Sequence, residues 1–552
     1  MAAQQTITHV WQQPAVVLEV TRCMTSPDDV LNFLRALPHS ALDDVLYALL
    51  RLFDVVRHDA VWPELDLAAV PAVARGVLQR ALPAIPAIRV SKYVDSCGLV
   101  LPPTLSVVVD HASRTLDAHA SPRPRTVIML PSAFYDCPTK VVDVTLDLLP
   151  ENNEAMCRAL TFCTNVRKAK VTWDEVDQPA IDDFLGMMIT SWHRVQHVHF
   201  RSTQYEAPLL DDIRGFYTWL SASEVTSVVF EGIDFSPRGA VFLAYALLQS
   251  PTVTSLDLRD VPNLTRALVA ANLPSLPAMP PLPPHLTTLR LRLPHWDADL
   301  VEAWAKKLEK ANLRVLEMDA STLTGATSLL AAAATMPRLT DLLIAGDHLR
   351  DLPILSQLQH LDLSRCSFSS PAFLALTQLL STTTRLETLS LRRATLSTWQ
   401  LSALADVLPT WLRQCGSFLD LSHLELGQLD RLRSCFYMLS GMKSPLRPTL
   451  LALGHIRAMV VASALAQLQP SHAAAIDLSH NKLPEVTLRA CISALATCEH
   501  VTLDLRANEA RWDDVKAKAK LLSVRAVANG VFASPETTHA YFTSPRRPSW
   551  YT

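Results

Sequence analysis

His193 and His197, in Trp192-His193-Arg194-Val195-Gln196-His197, stand four residues apart, the spacing at which one helix face offers two imidazoles to a metal. The glutamate that a metallopeptidase helix carries between them is missing, so the pair is half a motif. Gly441-Met442-Lys443-Ser444 has the end of a phosphate-binding loop without the earlier glycine. The ten cysteines include no CxxC pair: Cys157 and Cys163 are six apart, and Cys491 and Cys498 seven. Scattered cysteines among apolar neighbours read as buried thiols rather than ligands or disulfides. GxSxG and kinase signatures are absent as well. No reaction is assigned to the chain: no catalytic residue, metal or cofactor follows from these residues.

One set of titratable residues does recur. Arg365, Arg393, His423, His455 and His480 follow one another at 28, 30, 32 and 25 residues. Adjacent parallel strands lie about 4.8 Å apart, so side chains repeated rung by rung would form a row. Crowded imidazoles in such a row would lose proton affinity, and an acidic partner would bind less well as pH rises through about 6 to 7.

The row belongs to a longer frame. In LQHLDLSRCSF, Leu358 to Phe368, Leu361 and Leu363 alternate as on one strand face. The same frame centres on Val198, Val228, Leu256, Leu289, Leu316, Leu342, Leu361, Leu389, Leu419, Leu451, Ile476 and Leu503, with gaps of 30, 28, 33, 27, 26, 19, 28, 30, 32, 25 and 27. Stretches such as PAFLALTQLLS and TWQLSALADVLPTWL fill the gaps with apolar residues at helical spacing. The gap of 19 leaves room for little more than a turn. Upstream, VRKAKVTW places Ala169 and Val171, VVDVTLDL places Leu146 and Leu148, and fainter echoes begin near residue 80; downstream, one more strand fits around Val524.

This frame resembles the leucine-rich repeat family, of the ribonuclease-inhibitor type. The resemblance implies an α/β solenoid, a right-handed horseshoe with a parallel inner sheet and outer helices, whose stacked units share one core. Strand side chains alternate, so the residue between the two core positions faces outward. A partner-binding inner face would then carry His199, Asp257, Arg290, Glu317, Asp362, Asp420, Asp477 and Asp504, with Arg392 two places further along its strand and Arg365, Arg393, His423, His455 and His480 where strand meets turn.

Charge argues against a bulk electrostatic partner. With 50 basic and 53 acidic residues, nothing recommends nucleic acid or an anionic membrane. The proline-rich LPSLPAMPPLPPH lies in the widest gap and reads as a repeat approaching its strand rather than an SH3 or WW ligand. The start, MAAQQTITHVWQQP, lacks the grammar of a signal peptide, and no apolar run reaches the roughly 18 residues of a spanning helix. A cytoplasmic or nuclear protein is expected.

The first 70 residues lack the frame. PAVVLEV, SPDDVLNFLRAL and HSALDDVLYALLRLFDVVR read as helices with Ser26, Ser40, Asp43 and Asp44 at their starts, followed by VWPELDL as a strand-like exit. This order resembles an F-box, with Pro14, Val17, Leu18 and Val20 on the first helix, Leu31 and Leu34 on the second, and Trp62 at the junction. Gln13 stands where that family has a leucine, and the third helix is longer than the family's. The expected layout is a flexible N-terminus at 1–12, an F-box-like helical domain at 13–68, a repeat domain at 69–531 (irregular to about 165) and a flexible tail at 532–552. By resemblance the chain is a non-catalytic substrate-recognition subunit of an SCF-type ubiquitin ligase: the helices dock a Skp1-like adaptor and thereby a cullin, and the repeats hold a protein substrate. A repeat scaffold whose helices only cap the first rung is the alternative, and a GTPase activator of the Ran type a third.

Overall fold

A computed structural model describes residues 13–91, 99–111, 133–148, 153–173, 178–203, 209–270, 279–414, 418–421, 449–452, 473–478, 485–498, 500–506, 508, 512–528 and 531–533. The chain divides into two compact units, Met1–Leu268 and Val269–Thr552.

The first unit begins with α1 (Pro14–Cys23), α2 (Pro27–Ala36) and α3 (Asp44–Val55). Ser26 Oγ accepts from Asp29 N at 3.3 Å and caps α2, with Asp28 and Asp29 in the first turn where they suit the helix dipole. The cap of α3 is Asp43, which accepts from Leu46 N at 2.9 Å; Ser40 falls in a separate 3-10 turn, His39–Ala41.

Among the described residues, a main ladder of eight parallel strands follows: β1 (Glu64–Asp66), β2 (Ala87–Ser91), β3 (Ser106–His111), β4 (Val141–Leu148), β5 (Lys168–Trp173), β6 (His197–Ser202), β7 (Ser227–Glu231) and β8 (Ser255–Arg259), each paired with the next. The sheet therefore starts inside VWPELDL, at residue 64. Val198, Val228 and Leu256 lie directly opposite one another, as the frame requires. Upstream the register differs from the sequence expectation by two residues. Val144, not Leu146, pairs with Ala169, because β4 is long and valine-rich and alternation alone does not say which apolar residue is opposite which. Helices Gln178–Ser191, Arg214–Ala222 and Pro237–Gln249 occupy the connections between β5, β6, β7 and β8. Their apolar stripes meet an aromatic column: Phe200 stacks between Trp173 and Phe230 at centroid distances of 5.7 and 5.6 Å, with Phe216 and Trp219 edge-on.

Among the described residues, the main ladder of the second unit has nine parallel strands: β9 (Thr288–Trp296), β10 (Val315–Leu323), β11 (Asp341–Ala345), β12 (His360–Asp362), β13 (Thr388–Ser390), β14 (Phe418–Asp420), β15 (Thr449–Ala452), β16 (Ala473–Asp477) and β17 (His500–Asp504). Leu289, Leu316, Leu342, Leu361, Leu389, Leu419, Leu451, Ile476 and Leu503 are opposite one another across this ladder. Helices Ser370–Thr382 and Thr398–Gln414 form where the sequence expects them, and the short connection from β11 to β12 has none. The segment after Val524 is not another parallel rung. β18 (Arg525–Ala528) and β19 (Val531–Ala533) make a hairpin whose second strand pairs antiparallel with β17, which covers the sheet edge with a partner of opposite direction.

Candidate functional site

The strands of each unit turn alternate side chains out of the core, and this face concentrates the charged residues. In the first unit Glu231 is the hub. Its carboxylate accepts from His199 Nε2 at 2.9 Å and forms ion pairs with Arg201 Nε at 3.3 Å and Arg259 Nη1 at 3.5 Å. The His199 hydrogen bond, ahead of the charges of His199, Arg201 and Arg259, lowers the Glu231 pKa to about 2. In the second unit Arg290 pairs with Glu317 at 2.8 Å, and Asp319 is held between Arg292 at 3.2 Å and Arg365.

Not every outward residue reaches solvent. Asp257, Asp362, Asp420 and Asp504 occupy the expected face yet are buried. For Asp257, Asp362 and Asp504 the cover comes from two places along the chain, since residues i and i+2 share a strand face. Arg259 folds back on Asp257 at 2.7 Å, and Arg506 folds back on Asp504. Ser364 donates to Asp362 from both its backbone and its hydroxyl, with the backbone bond at 2.8 Å. The signal was in the sequence, as LDLR at 256–259 and 503–506 and LDLS at 361–364. Burial, with the Asp420 charge adding to it, pushes Asp362 up to about 6. The Asp477 side chain lies outside the described residues.

Arg365 and Arg393, four places after their core leucines, have φ of 60° and 57°. Other rungs repeat that conformation at the same place: Gly232 at 65°, Asp260 at 57° and Gly346 at 93°. Here the chain leaves the strand through the left-handed region, and the ladder continues through it. Gly232 N donates to Arg259 O, Gly346 N to Ser364 O and Arg365 N to Arg392 O, at 2.9, 3.2 and 2.7 Å. This position is a turn before it is a binding column. Its other members, His423, His455 and His480, lie outside the described residues. Arg392 and Arg393 are exposed.

The next place along is a staple. Asn508 Nδ2 donates to Leu478 O of the previous rung at 3.0 Å and to Leu505 O at 2.7 Å. Cys366 holds the same frame position, and its Sγ donates to Ile344 O at 3.4 Å. Each group is buried and satisfies a carbonyl that the turn would otherwise leave without a partner.

Among the residues expected to meet an adaptor, Val17, Leu31, Leu34 and Trp62 are buried, whereas Pro14, Leu18 and Val20 are partly open. Trp62 Nε1 donates to Met24 O at 2.8 Å and ties the junction to the end of α1. Arg22 in the last turn of α1 donates to Pro83 O, just ahead of β2.

Among the described residues no group of three His, Cys, Asp or Glu could hold a metal ion, and no helix is long and apolar enough to cross a membrane. No protein-family model matches the chain, and no curated protein matches it.

Proposed function

We propose that the chain is a leucine-rich repeat protein that acts as a non-catalytic receptor for another protein, with the horseshoe curvature of that family. The observation that carries the reading is the Glu231 hub: two arginines and a histidine from the two strands flanking β7 converge on one half-buried carboxylate on an otherwise regular sheet face. A network of this kind presents both signs of charge on rigid elements, which suits recognition of a mixed-charge protein surface. Affinity purification of the full chain should recover a partner that the Arg201→Glu/Arg259→Glu chain fails to hold. A partner retained equally by both chains would move recognition off this face.

The finer form of the reading is a substrate-recognition subunit of an SCF-type ubiquitin ligase, raising the effective concentration of substrate near the charged ubiquitin carrier. Partly open Pro14, Leu18 and Val20 on α1 favour it; buried Val17, Leu31, Leu34 and Trp62 favour a cap on the first rung. Leu18→Asp/Val20→Asp separates the two without emptying the core, whereas Leu34→Asp would unfold the helices. Co-purification of a Skp1-like adaptor with the unaltered chain, and its loss from the variant, is the outcome expected of the ligase subunit. Failure of the folded, unaltered chain to retain the adaptor would leave the cap.

A further inference from the structure

A cavity of about 230 Å³ lies in the first unit at the N-terminal ends of β3, β4 and β5, beside the turn that leads into β6. Three successive rungs each bring a cation to it: Lys140, Arg167 and Arg194. Ser106, Thr139 and Asn165 add polar groups, and no carboxylate lines the wall.

Neutral partners hold two of the three cations, Arg194 and Lys140, in place. Arg194 Nη1 donates to Asn165 Oδ1 at 3.1 Å, Asn165 Nδ2 donates to Thr139 O at 2.6 Å, and Lys140 Nζ donates to Pro102 O. Each bond uses one donor, so two remain on the lysine and four on Arg194. Among the described residues none of the three cations forms an ion pair, in contrast to the sheet-face arginines of the Glu231 hub. The backbone beneath is fixed by the ladder: Arg167 N donates to Val142 O at 2.8 Å, and Arg167 O accepts from Gln196 N and His197 N.

We propose that this cavity binds a phosphate monoester group. Such a group carries about −1.5 to −2 at neutral pH and offers three acceptor oxygens, which answer three cations and two arginine forks. A single carboxylate would leave most of those donors idle. The volume equals that of roughly eight waters, enough for the phosphate and a short ester stem. The proposal does not depend on the receptor reading, since it concerns a different part of the unit.

Calorimetric titration of the full chain should use inorganic phosphate, O-phosphoserine, and the tripeptide acetyl-Gly-phosphoserine-Gly-amide beside its serine counterpart. The phosphate-bearing probes should bind and the serine tripeptide should not. Arg167→Gln/Arg194→Gln should weaken binding by roughly tenfold or more. Both side chains are exposed, so circular dichroism should show the variant folded. Arg194→Lys, which keeps the charge and loses the fork, should fall between. Tighter binding of the phosphotripeptide than of inorganic phosphate would identify a peptide-borne group, and the reverse order a free anion. Equal binding by the double variant and the unaltered chain, or no preference for phosphate over serine, would overturn the proposal.

Discussion

Glu231 in the first unit and Asp362 in the second are both sheet-face carboxylates, and their surroundings drive them in opposite directions. Glu231 receives a hydrogen bond from His199 and has Arg201 and Arg259 beside it, so it stays ionised down to about pH 2. Asp362 is buried under Ser364 and Ser390 with Asp420 nearby, and it holds its proton up to about pH 6. Each place has a scaffold of the same kind, a parallel ladder within its own unit; the residues on neighbouring rungs decide the chemistry. The cores differ as well. The column two places after the core residue includes the ring pair Phe200 and Phe230 in the first unit and is aliphatic at Leu363 and Leu391 in the second. A repeat frame thus constrains size and polarity at each place while leaving electrostatics and packing style to local choice.

The largest difference should appear in the core. Phe200→Ala removes two stacked and two edge-on ring contacts and should cost about 3–5 kcal/mol, above what Leu363→Ala costs in its aliphatic surroundings. Urea unfolding of both variants measures this; equal losses would mean that the aromatic column adds nothing beyond buried area.

Asp362 should give the next effect, with a pH signature. Its folded pKa lies above the unfolded value, so folding is least hindered when the group is protonated in both states. Stability at this residue is full below about pH 4 and is lost as pH rises to about 6, by on the order of 3 kcal/mol. Asp362→Asn keeps the acceptor for Ser364 and cannot ionise. It should therefore be more stable than the unaltered chain at pH 7.5, with the advantage vanishing by pH 4. A gain independent of pH would sever the effect from ionisation.

Glu231 runs the other way. Its folded pKa is depressed, so its contribution is present above about pH 4.5 and is lost as pH falls toward 2. Allowing for solvent screening of a half-exposed group, Glu231→Gln should cost about 1–2 kcal/mol at pH 7. Denaturation at pH 7 and pH 3 checks the sign: the penalty should shrink at the lower pH while that of a core variant does not.

The legible part of the fold was its period. Twelve frame residues read from leucine and valine spacing pair as expected within each unit, because a solenoid repeats one burial pattern and alternation fixes which face each residue takes. Upstream, β4 shifted by two residues because Val144, Leu146 and Leu148 are equally apolar and no turn residue marks the rung. The closing hairpin was hidden because a strand's direction leaves no mark on its own composition. On the site, residue types were legible and exposure was not: the cover of Asp257 and Asp504 depends on where Arg259 and Arg506 fold. The basic cavity was written in Lys140, Arg167 and Arg194, yet their convergence required the rungs to be stacked.

The smallest effect concerns the turn shared by both units. Gly232 and Arg393 adopt the same left-handed conformation at the same frame position, φ 65° and 57°. At Gly232 the reason for glycine is visible, since an added Cβ would come within 2.9 Å of Ser202 O. Arg393 is exposed and bears the strain of a Cβ in that region. Asparagine tolerates left-handed backbone better than arginine does, whereas a β-branched residue tolerates it worst. Arg393→Asn should therefore raise stability by about 0.5 kcal/mol, and Arg393→Val should lower it by about 1 kcal/mol or more. Thermal melts of the pair provide the check, because opposite signs follow from backbone conformation alone. If both variants lose stability alike, the arginine side chain itself supports the turn, and this column belongs with the sheet-face contacts after all.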